Sequence, residues 1–416
     1  MRFAWLVSML GSSLLLAGPP DTETNVNTRY TVESVELAGE NPADTADISK
    51  GLRGELTRLV GEKLNPAALD DLARRIRREL HVRAVTHRVL RGQKPEQVRV
   101  VFDVRGRPAK FEASVPKLLY LSQGGFAGAV AGTATVGSQA LTFGAVNDGD
   151  ELVERYAGIV ARYEDKSLLS GRMRLRIQFE SYHEHWDQAT TAAPGRPGGA
   201  DPAAGFYGAR TNLEPVATWV VARPLILTVG VSFERLQSFP AARTEAANAM
   251  VTTLRYHRRL EGSDANQQEW DAGYSLRAAT NLLGSDFAYA RHQGDVRYVY
   301  SWGRSEIVDD LTAGLIAGRA PLFEQFVLGN SSMLRGWSKF ELDPLGGSRL
   351  VHNSLEYRYR RLKVFYDSGA IWDPGQTVVL RHSVGVGVQQ NGLFAALAFP
   401  VREGRIEPVF MVGMNY

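Results

Sequence analysis

The sequence of 416 residues holds no cysteine, so no disulfide staples it and no thiol serves as nucleophile or soft metal ligand. Neither sign of charge dominates: 48 basic against 45 acidic residues leave a formal net charge of +3, which excludes a polycationic nucleic-acid binder. Past the first residues, no stretch of spanning-helix length is free of charge or proline. The nearest, Ala217 to Phe233, is interrupted by Arg223-Pro224. Neither G-x-S-x-G nor H-E-x-x-H occurs, and the expectation is a protein that is not an enzyme and holds no cofactor or metal. With 44% hydrophobic and 22% charged residues, the chain is also too apolar to be disordered by composition.

What is present begins with a leader. Met1-Arg2 gives a short positive start, Phe3 to Leu16 an apolar run, and Ala17-Gly18-Pro19-Pro20 a small-residue and breaker stretch. Residues 1–18 read as an export signal with an ill-defined cleavage point, since Leu15 or Leu16 stands where a small residue is usual. An uncleaved anchor is the alternative, although the run is shorter than the roughly 20 residues a spanning helix needs.

An exported chain without a helical anchor can still cross a membrane with strands, which hide their apolar residues at every second position. The last three hundred residues carry that pattern. Arg172, Arg174, Arg176, Gln178 and Glu180 alternate with Met173, Leu175, Ile177 and Phe179. His352, Ser354, Glu356, Arg358 and Arg360 alternate with Val351, Leu355, Tyr357 and Tyr359. Ser383, Gly385, Gly387 and Gln389 alternate with Val384, Val386 and Val388, while Phe410, Val412, Met414 and Tyr416 share one face. Strands of about ten residues with tyrosines near their apolar ends favour lipid over the core of a soluble sandwich. The connections tend to alternate as well: short ones such as Arg223-Pro224, Gly303-Arg304-Ser305, Arg361-Leu362 and Gln390-Asn391-Gly392, long ones such as Asp187 to Phe206, Pro240 to Ala249, Gly318 to Gly347 and Asp373 to Arg381. Residues 108–416 are therefore expected to form an antiparallel transmembrane β-barrel of about sixteen strands. Leu282 to Asp286 is a brief exception on the long-loop side.

Residues 29–107 read differently. A strand from Tyr30 to Leu37 precedes a helical face of Ile48, Leu52, Leu56 and Leu59; Asn65 caps a second helix with Pro66 at its first position and Leu69, Leu72, Ile76 and Leu80 on one side. Two strands follow, the second alternating Val98, Val100, Phe102 and Val104 with Arg99, Asp103 and Arg105. The order is β-α-α-β-β, with a hinge at Gly106-Arg107-Pro108.

That module, the barrel, the segment Leu334-Arg335-Gly336-Trp337 and the later Phe365-Tyr366-Asp367-Ser368-Gly369 together resemble the outer-membrane assembly and two-partner-secretion barrel superfamily, with the BamA/TamA-like surface antigens among its members. The first module is similar to a single POTRA domain, where insertases carry several and secretion transporters commonly two. The resemblance implies that Arg335 is a cation at the tip of a loop folded into the lumen, that Gly336 permits the tight backbone and that Trp337 is an aromatic wedge. It further implies that Asp367, with Phe365 and Gly369 around it, is the partner on the lumen wall. Leu334 and Trp337 replace the more usual Val or Ile and Phe or Tyr. Parity independently points Lys363, Phe365 and Asp367 to the lumen and Leu362, Val364 and Tyr366 to lipid. The terminal strand, with Phe410, Gly413 and the final Tyr416, reads as the barrel's own insertion signal, and Gly413 as a weak point of packing.

The function expected from the resemblance is insertion, assembly or translocation of polypeptides. Clients in an unfolded or extended state would pair with a strand edge at Val98, Val100 and Phe102, and a lateral seam between the first and last strands would open beside Gly124, Gly125, Gly128, Gly132 and Gly137. Outer-membrane lipids, periplasmic or lipoprotein accessory proteins and no nucleic acid are the expected partners of a monomeric barrel in the outer membrane of a Gram-negative bacterium, its POTRA-like domain in the periplasm. The alternative is a passive diffusion pore or structural surface barrel, with the first module a mere plug or cap. Smaller signals have bland readings beside sharp ones. Gly124, Gly128 and Gly132 fit a helix-dimer face only if that run is helical. His183-Glu184-His185 is a possible metal pair or a wet strand end. Arg74, Arg75, Arg77 and Arg78 form a headgroup patch or a solvated helix face, and Ala189 to Ala204 a mobile surface loop.

Overall fold

The computed structural model describes residues 26–39, 48–80, 82–106, 109–168, 173–193, 206–238, 243–261, 266–402 and 407–415. The leader 1–18, the hinge residues Arg107 and Pro108, and Tyr416 lie outside them. The chain divides into two compact units, Met1–Pro108 and Ala109–Tyr416.

In the first unit, β1 (Thr31–Gly39), α1 (Lys50–Arg58), α2 (Pro66–Leu80), β2 (Ala84–Arg91) and β3 (Gln97–Arg105) form a small α+β fold. Asn65 accepts a hydrogen bond from the Ala67 N–H at 3.1 Å and starts α2, and Leu69, Leu72, Ile76 and Leu80 are buried against Val98, Val100, Phe102 and Val104. The sheet order is β1-β3-β2, with β1 parallel and β2 antiparallel to β3. This corrects the expected client edge: Val98, Val100 and Phe102 sit on the central strand and face the core, so their backbone groups are already paired on both sides. Val101 on the opposite face is also buried, as a central strand requires. The free edges belong to β1 and β2. On α2, Arg75 pairs with Glu55 at 2.8 Å and Asp71 at 3.1 Å, a helix surface tied to its own neighbours.

The second unit is a closed barrel of sixteen strands. The first is split into β4 (Lys110–Ala113) and β5 (Lys117–Leu121), both paired with β6 (Gly125–Val136). Then come β7 (Gln139–Asp148), β8 (Arg155–Leu168), β9 (Met173–His185), β10 (Ala209–Ala222) and β11 (Leu225–Ser238). The eighth strand is again split, into β12 (Arg243–Ala246) and β13 (Ala249–Glu261). The ring continues through β14 (Asn266–Ala279), β15 (Ala288–Trp302), β16 (Ser305–Arg319), β17 (Arg349–Tyr359), β18 (Leu362–Trp372), β19 (Arg381–Gln390), β20 (Leu393–Pro400) and β21 (Val409–Met414). The long connection expected from Pro240 to Ala249 is thus mostly strand: β12 pairs with β11, and a bulge at Ala247-Asn248, held by Ala247 N–H to Glu234 O at 2.8 Å, joins it to β13. Gly128 and Gly132 lie on strand β6, so no helical face exists there.

Alternation sorts the side chains. Exposed Phe143, Phe179, Leu254, Trp270, Leu311, Leu355, Val364 and Val386 are samples of an apolar band on nearly every strand, far beyond what a water-facing surface carries. Aromatic pairs Tyr300 with Trp302 (ring centroids 5.2 Å apart) and Trp302 with Tyr357 (6.2 Å) collect near the short-turn end, as at a lipid–water boundary. Among the described residues no helix is long and apolar enough to cross a membrane, and the closed ring leaves no strand edge unsatisfied in hydrocarbon.

Closure is thin. Strand length falls from 15 residues in β16 to 11 in β18, 10 in β19, 8 in β20 and 6 in β21. β21 then meets β5 through four residue pairs, Met411–Leu121 to Met414–Leu118. By contrast, β14 and β15 are paired from Asn266–Trp302 to Ala279–Tyr289. Gly413 is no packing void, because the Phe394 ring fills the space where a Cβ would stand.

Candidate functional site

The longest connection, 320–348 between β16 and β17, turns inward and is clamped at several points. Its tip is the motif Leu334-Arg335-Gly336-Trp337. Leu334 adopts φ 52° and Gly336 φ 94°, so the tip reverses through two left-handed residues. At Gly336 glycine is required twice over: besides the positive φ, a Cβ would approach Ala398 Cβ to 3.1 Å and Pro400 Cδ to 3.2 Å, which is how the backbone can lie against β20. Leu334 is fully buried, and its N–H donates to His352 Nε2 at 3.0 Å.

Between those two residues Arg335 is held in a forked set of bonds. Its Nε donates to Asp367 Oδ2 at 2.8 Å and Nη2 to Asp367 Oδ1 at 2.7 Å; its backbone N–H reaches the same carboxylate at 3.0 Å. Nη1 donates to Glu356 at 2.5 Å and Nη2 also to Ser354 Oγ at 2.9 Å. The guanidinium lies 3.6 Å from the Phe365 ring centroid. Phe365 is pinned flat because its ring covers Gly385 of the next strand, where no Cβ would fit. Asp367 is 0% exposed and Arg335 6%, so each charge has lost its water and depends on the other. Gly369, two residues beyond Asp367, lets Leu328 pack against β18. Trp337 is buried, donates from Nε1 to His382 O at 2.9 Å, and carries Arg381 and Arg402 on its ring at 5.1 and 4.9 Å. The structure therefore brings together Leu334 to Trp337, Phe365, Asp367 and Gly369. Phe410 faces outward on β21, turned away from this cluster.

Sequence reasoning missed a second clamp. At the start of the loop, Glu324 accepts from Tyr289 OH at 2.9 Å and meets Arg277 Nε at 2.5 Å, with Arg291 at 3.6 Å. Arg277 also holds Glu234 at 2.8 Å, Arg210 spans Glu184 and Glu234 at 3.2 Å each, and Tyr207 OH donates to Glu154 at 2.8 Å. Phe323 and Phe326 lie under Arg210 and Arg291 at 4.9 and 4.4 Å. The available signal was parity, which puts Arg210, Glu234 and Arg277 on the lumen side of their strands.

Neighbouring loops add more ties. Asp150 accepts from Ser331 N–H at 3.1 Å, and Lys339 donates to Gly149 O at 2.7 Å and to Leu152 O. Burial pushes the Lys339 amine down to about 8 against the fields of Asp150 and Glu154, and burial raises the Asp150 carboxyl despite its bonds from Ser331. Thr190, in the stretch expected to be a mobile surface loop, is buried and donates to Pro344 O at 2.8 Å. Glu184 points inward to Arg210 while His183 and His185 are exposed, and among the described residues no group of three metal-ligating side chains occurs.

No curated protein matches the chain in sequence. Residues 267–400 match the family model described as the Omp85 superfamily domain, a stretch that runs through β14 to β20 and contains the whole inward loop. Among solved structures, BamA from Haemophilus ducreyi, in a form lacking POTRA domains 1–3, is similar with a TM-score of 0.61 at 15% identity, covering 93% of this chain and 84% of that one. CdiB from Acinetobacter baumannii is similar with a TM-score of 0.51 at 12% identity, covering 92% of this chain and 74% of that one. At such identities the likeness is one of fold.

Proposed function

Since this chain carries an Omp85 superfamily domain within a sixteen-strand barrel, we propose that it inserts or translocates polypeptides at an outer membrane, with the short-turn end and the α+β unit in the periplasm. The observation that carries the reading is the β5–β21 closure. Four residue pairs, extended by the bonds between Ser122 and Phe410, are little resistance to separation beside the fourteen pairs of β14 and β15, and an opened edge offers an incoming strand the backbone partners that hydrocarbon denies it. The clamped loop supports a machine over a passive pore, because a loop fixed to the wall through Arg335 and Glu324 occupies the interior a diffusion channel would leave open. Clients would first pair with a free edge of the small sheet. The free edge of β2, along which Val89 and Leu90 are exposed, would take the place of the central strand in that role.

The test uses the absence of native cysteine. Tyr120→Cys with Val412→Cys, neighbours across the closure, should form a disulfide on oxidation and stop the appearance of client proteins in the outer membrane or medium; reductant should restore it. Normal export and assembly with the crosslink fully formed would exclude lateral opening.

A further inference from the structure

Two tight turns at the short-turn end, Gly303-Arg304 and Arg360-Arg361, lie side by side, joined by Arg360 N–H to Arg304 O at 3.1 Å. They frame a pocket of about 390 Å³ whose cations are Arg304, Arg358, Arg360, Arg361 and Lys363 and whose only acid is Glu306. Arg358 is committed to Glu306 and Glu356 at 2.9 and 2.7 Å. Among the described residues, Arg304, Arg360 and Arg361 meet no carboxylate, and all three are exposed. Arg360 moreover takes φ 56°, a left-handed position that an arginine fills at a steric cost; the adjacent β19–β20 turn fills its own with Asn391 and Gly392, at φ 49° and 82°. The turn thus carries a charged residue where Asn or Gly would sit without strain.

Of its other wall residues, Ser301, Glu306, Arg358, Lys363 and Gln389 come from lumen-facing positions of β15 to β19 and Ser305 and Leu362 from outward-facing ones, so the pocket lies on the rim of the barrel mouth. It adjoins a lumen cavity of about 590 Å³ beneath Arg335 through the shared Arg358, Lys363 and Gln389. We infer that this pocket captures carboxylate side chains of an acidic, extended polypeptide segment entering the mouth of the barrel, so that clients with acidic stretches are the favoured class. The inference rests on the proposed polypeptide-handling role. Guanidinium pairs with carboxylate through two parallel N–H bonds, and three forks without a carboxylate partner on adjoining turns, that of Arg360 lying over the Tyr359 ring at 5.5 Å, suit successive acidic side chains of an extended chain.

The test compares the full-length protein in nanodiscs with a variant carrying Arg304→Gln, Arg360→Asn and Arg361→Gln. Asn suits the left-handed site better than Arg, so the turn is favoured, and an unchanged gel shift on heating verifies folding. Fluorescence anisotropy with a labelled peptide of alternating Glu and Gly should show affinity about tenfold weaker in the variant at low salt, and a Gln-Gly peptide should bind weakly to both. Equal Glu-peptide affinity, or equal loss for both peptides, overturns the inference. A second arm uses phosphatidylglycerol against phosphatidylcholine nanodiscs: anionic-lipid enrichment lost in the variant, with peptide binding unchanged, would reassign the arginines to lipid and also overturn it. Client assembly that responds to the seam crosslink without any acidic-peptide binding defeats this inference alone. Peptide binding with assembly indifferent to the crosslink defeats the parent reading alone.

Discussion

Removing Asp367 and removing Arg335 should destabilise the docked loop by different routes that cannot add. Asp367→Ala takes away the acceptor of three N–H groups of Arg335 and leaves the guanidinium with Glu356 at 2.5 Å, Ser354 at 2.9 Å and the Phe365 face. Arg335→Ala instead strands two acids, although Glu356 keeps Arg358 at 2.7 Å and Asp367 keeps Ser354 Oγ at 2.7 Å. Breaking a buried pair from one side costs about 3–5 kcal/mol, mostly the penalty of the charge left behind. In the double variant the Arg335–Asp367 pair is removed from both sides and Glu356 keeps Arg358, so its cost should lie within about 1 kcal/mol of the larger single and the coupling should be at least about 2 kcal/mol. Arg335→Lys should lose about 2 kcal/mol, since an ammonium cannot reach Asp367 through two parallel bonds while also holding Glu356 and Ser354. Hydrogen exchange of the amides between 330 and 340, in lipid nanodiscs, reads the free energy of undocking directly. Single costs that sum in the double, or a lysine variant as protected as the parent, would refute the buried fork as the element that fixes the tip.

Gly336→Ala should cost about 1–2 kcal/mol through its left-handed φ alone, and more through the Ala398 and Pro400 contacts; the same exchange measurement should show the tip opening while β17 stays protected. Because burial lowers the Lys339 amine from 10.5 to about 8, the folded loop releases its proton before the unfolded chain does. Loop docking should therefore strengthen as pH rises from 8 to about 10.5, by up to about 3 kcal/mol. Lys339→Met should flatten that rise in a pH series of exchange rates, and a slope unchanged by the substitution would exclude Lys339 as its source. Glu324→Ala should leave Arg277 short of a partner and loosen the loop base by about 2–4 kcal/mol, seen as new proteolytic cleavage between 320 and 328 with the barrel core intact.

Much of this was readable in the chain, for one physical reason: water on one wall and lipid on the other impose a period of two on every strand. That rule alone placed Asp367 and Phe365 inward and Tyr366 outward, as the structure has them. The same rule was silent on which inward residues meet across the lumen. Arg277 on β14 meets Glu324 on a loop 47 positions further along the sequence, a meeting fixed by ring closure and loop path rather than local pattern. Periodicity was equally blind to sheet order: β3 alternates like an edge strand, yet it lies between β1 and β2, and the one sequence feature pointing there is Val101, apolar between Val100 and Phe102 and buried in the fold. The β12 segment was hidden because Arg243 to Ala246 carries too few apolar residues to resemble a strand.

The inward loop is anchored to one arc of the ring through Glu324, to another through Arg335 and Trp337, and to a neighbouring loop through Lys339. It behaves as the hub of a spoked wheel, and the spokes set the girth of the rim. Any swelling of the cylinder must therefore stretch one of these spokes or part the rim where β21 meets β5.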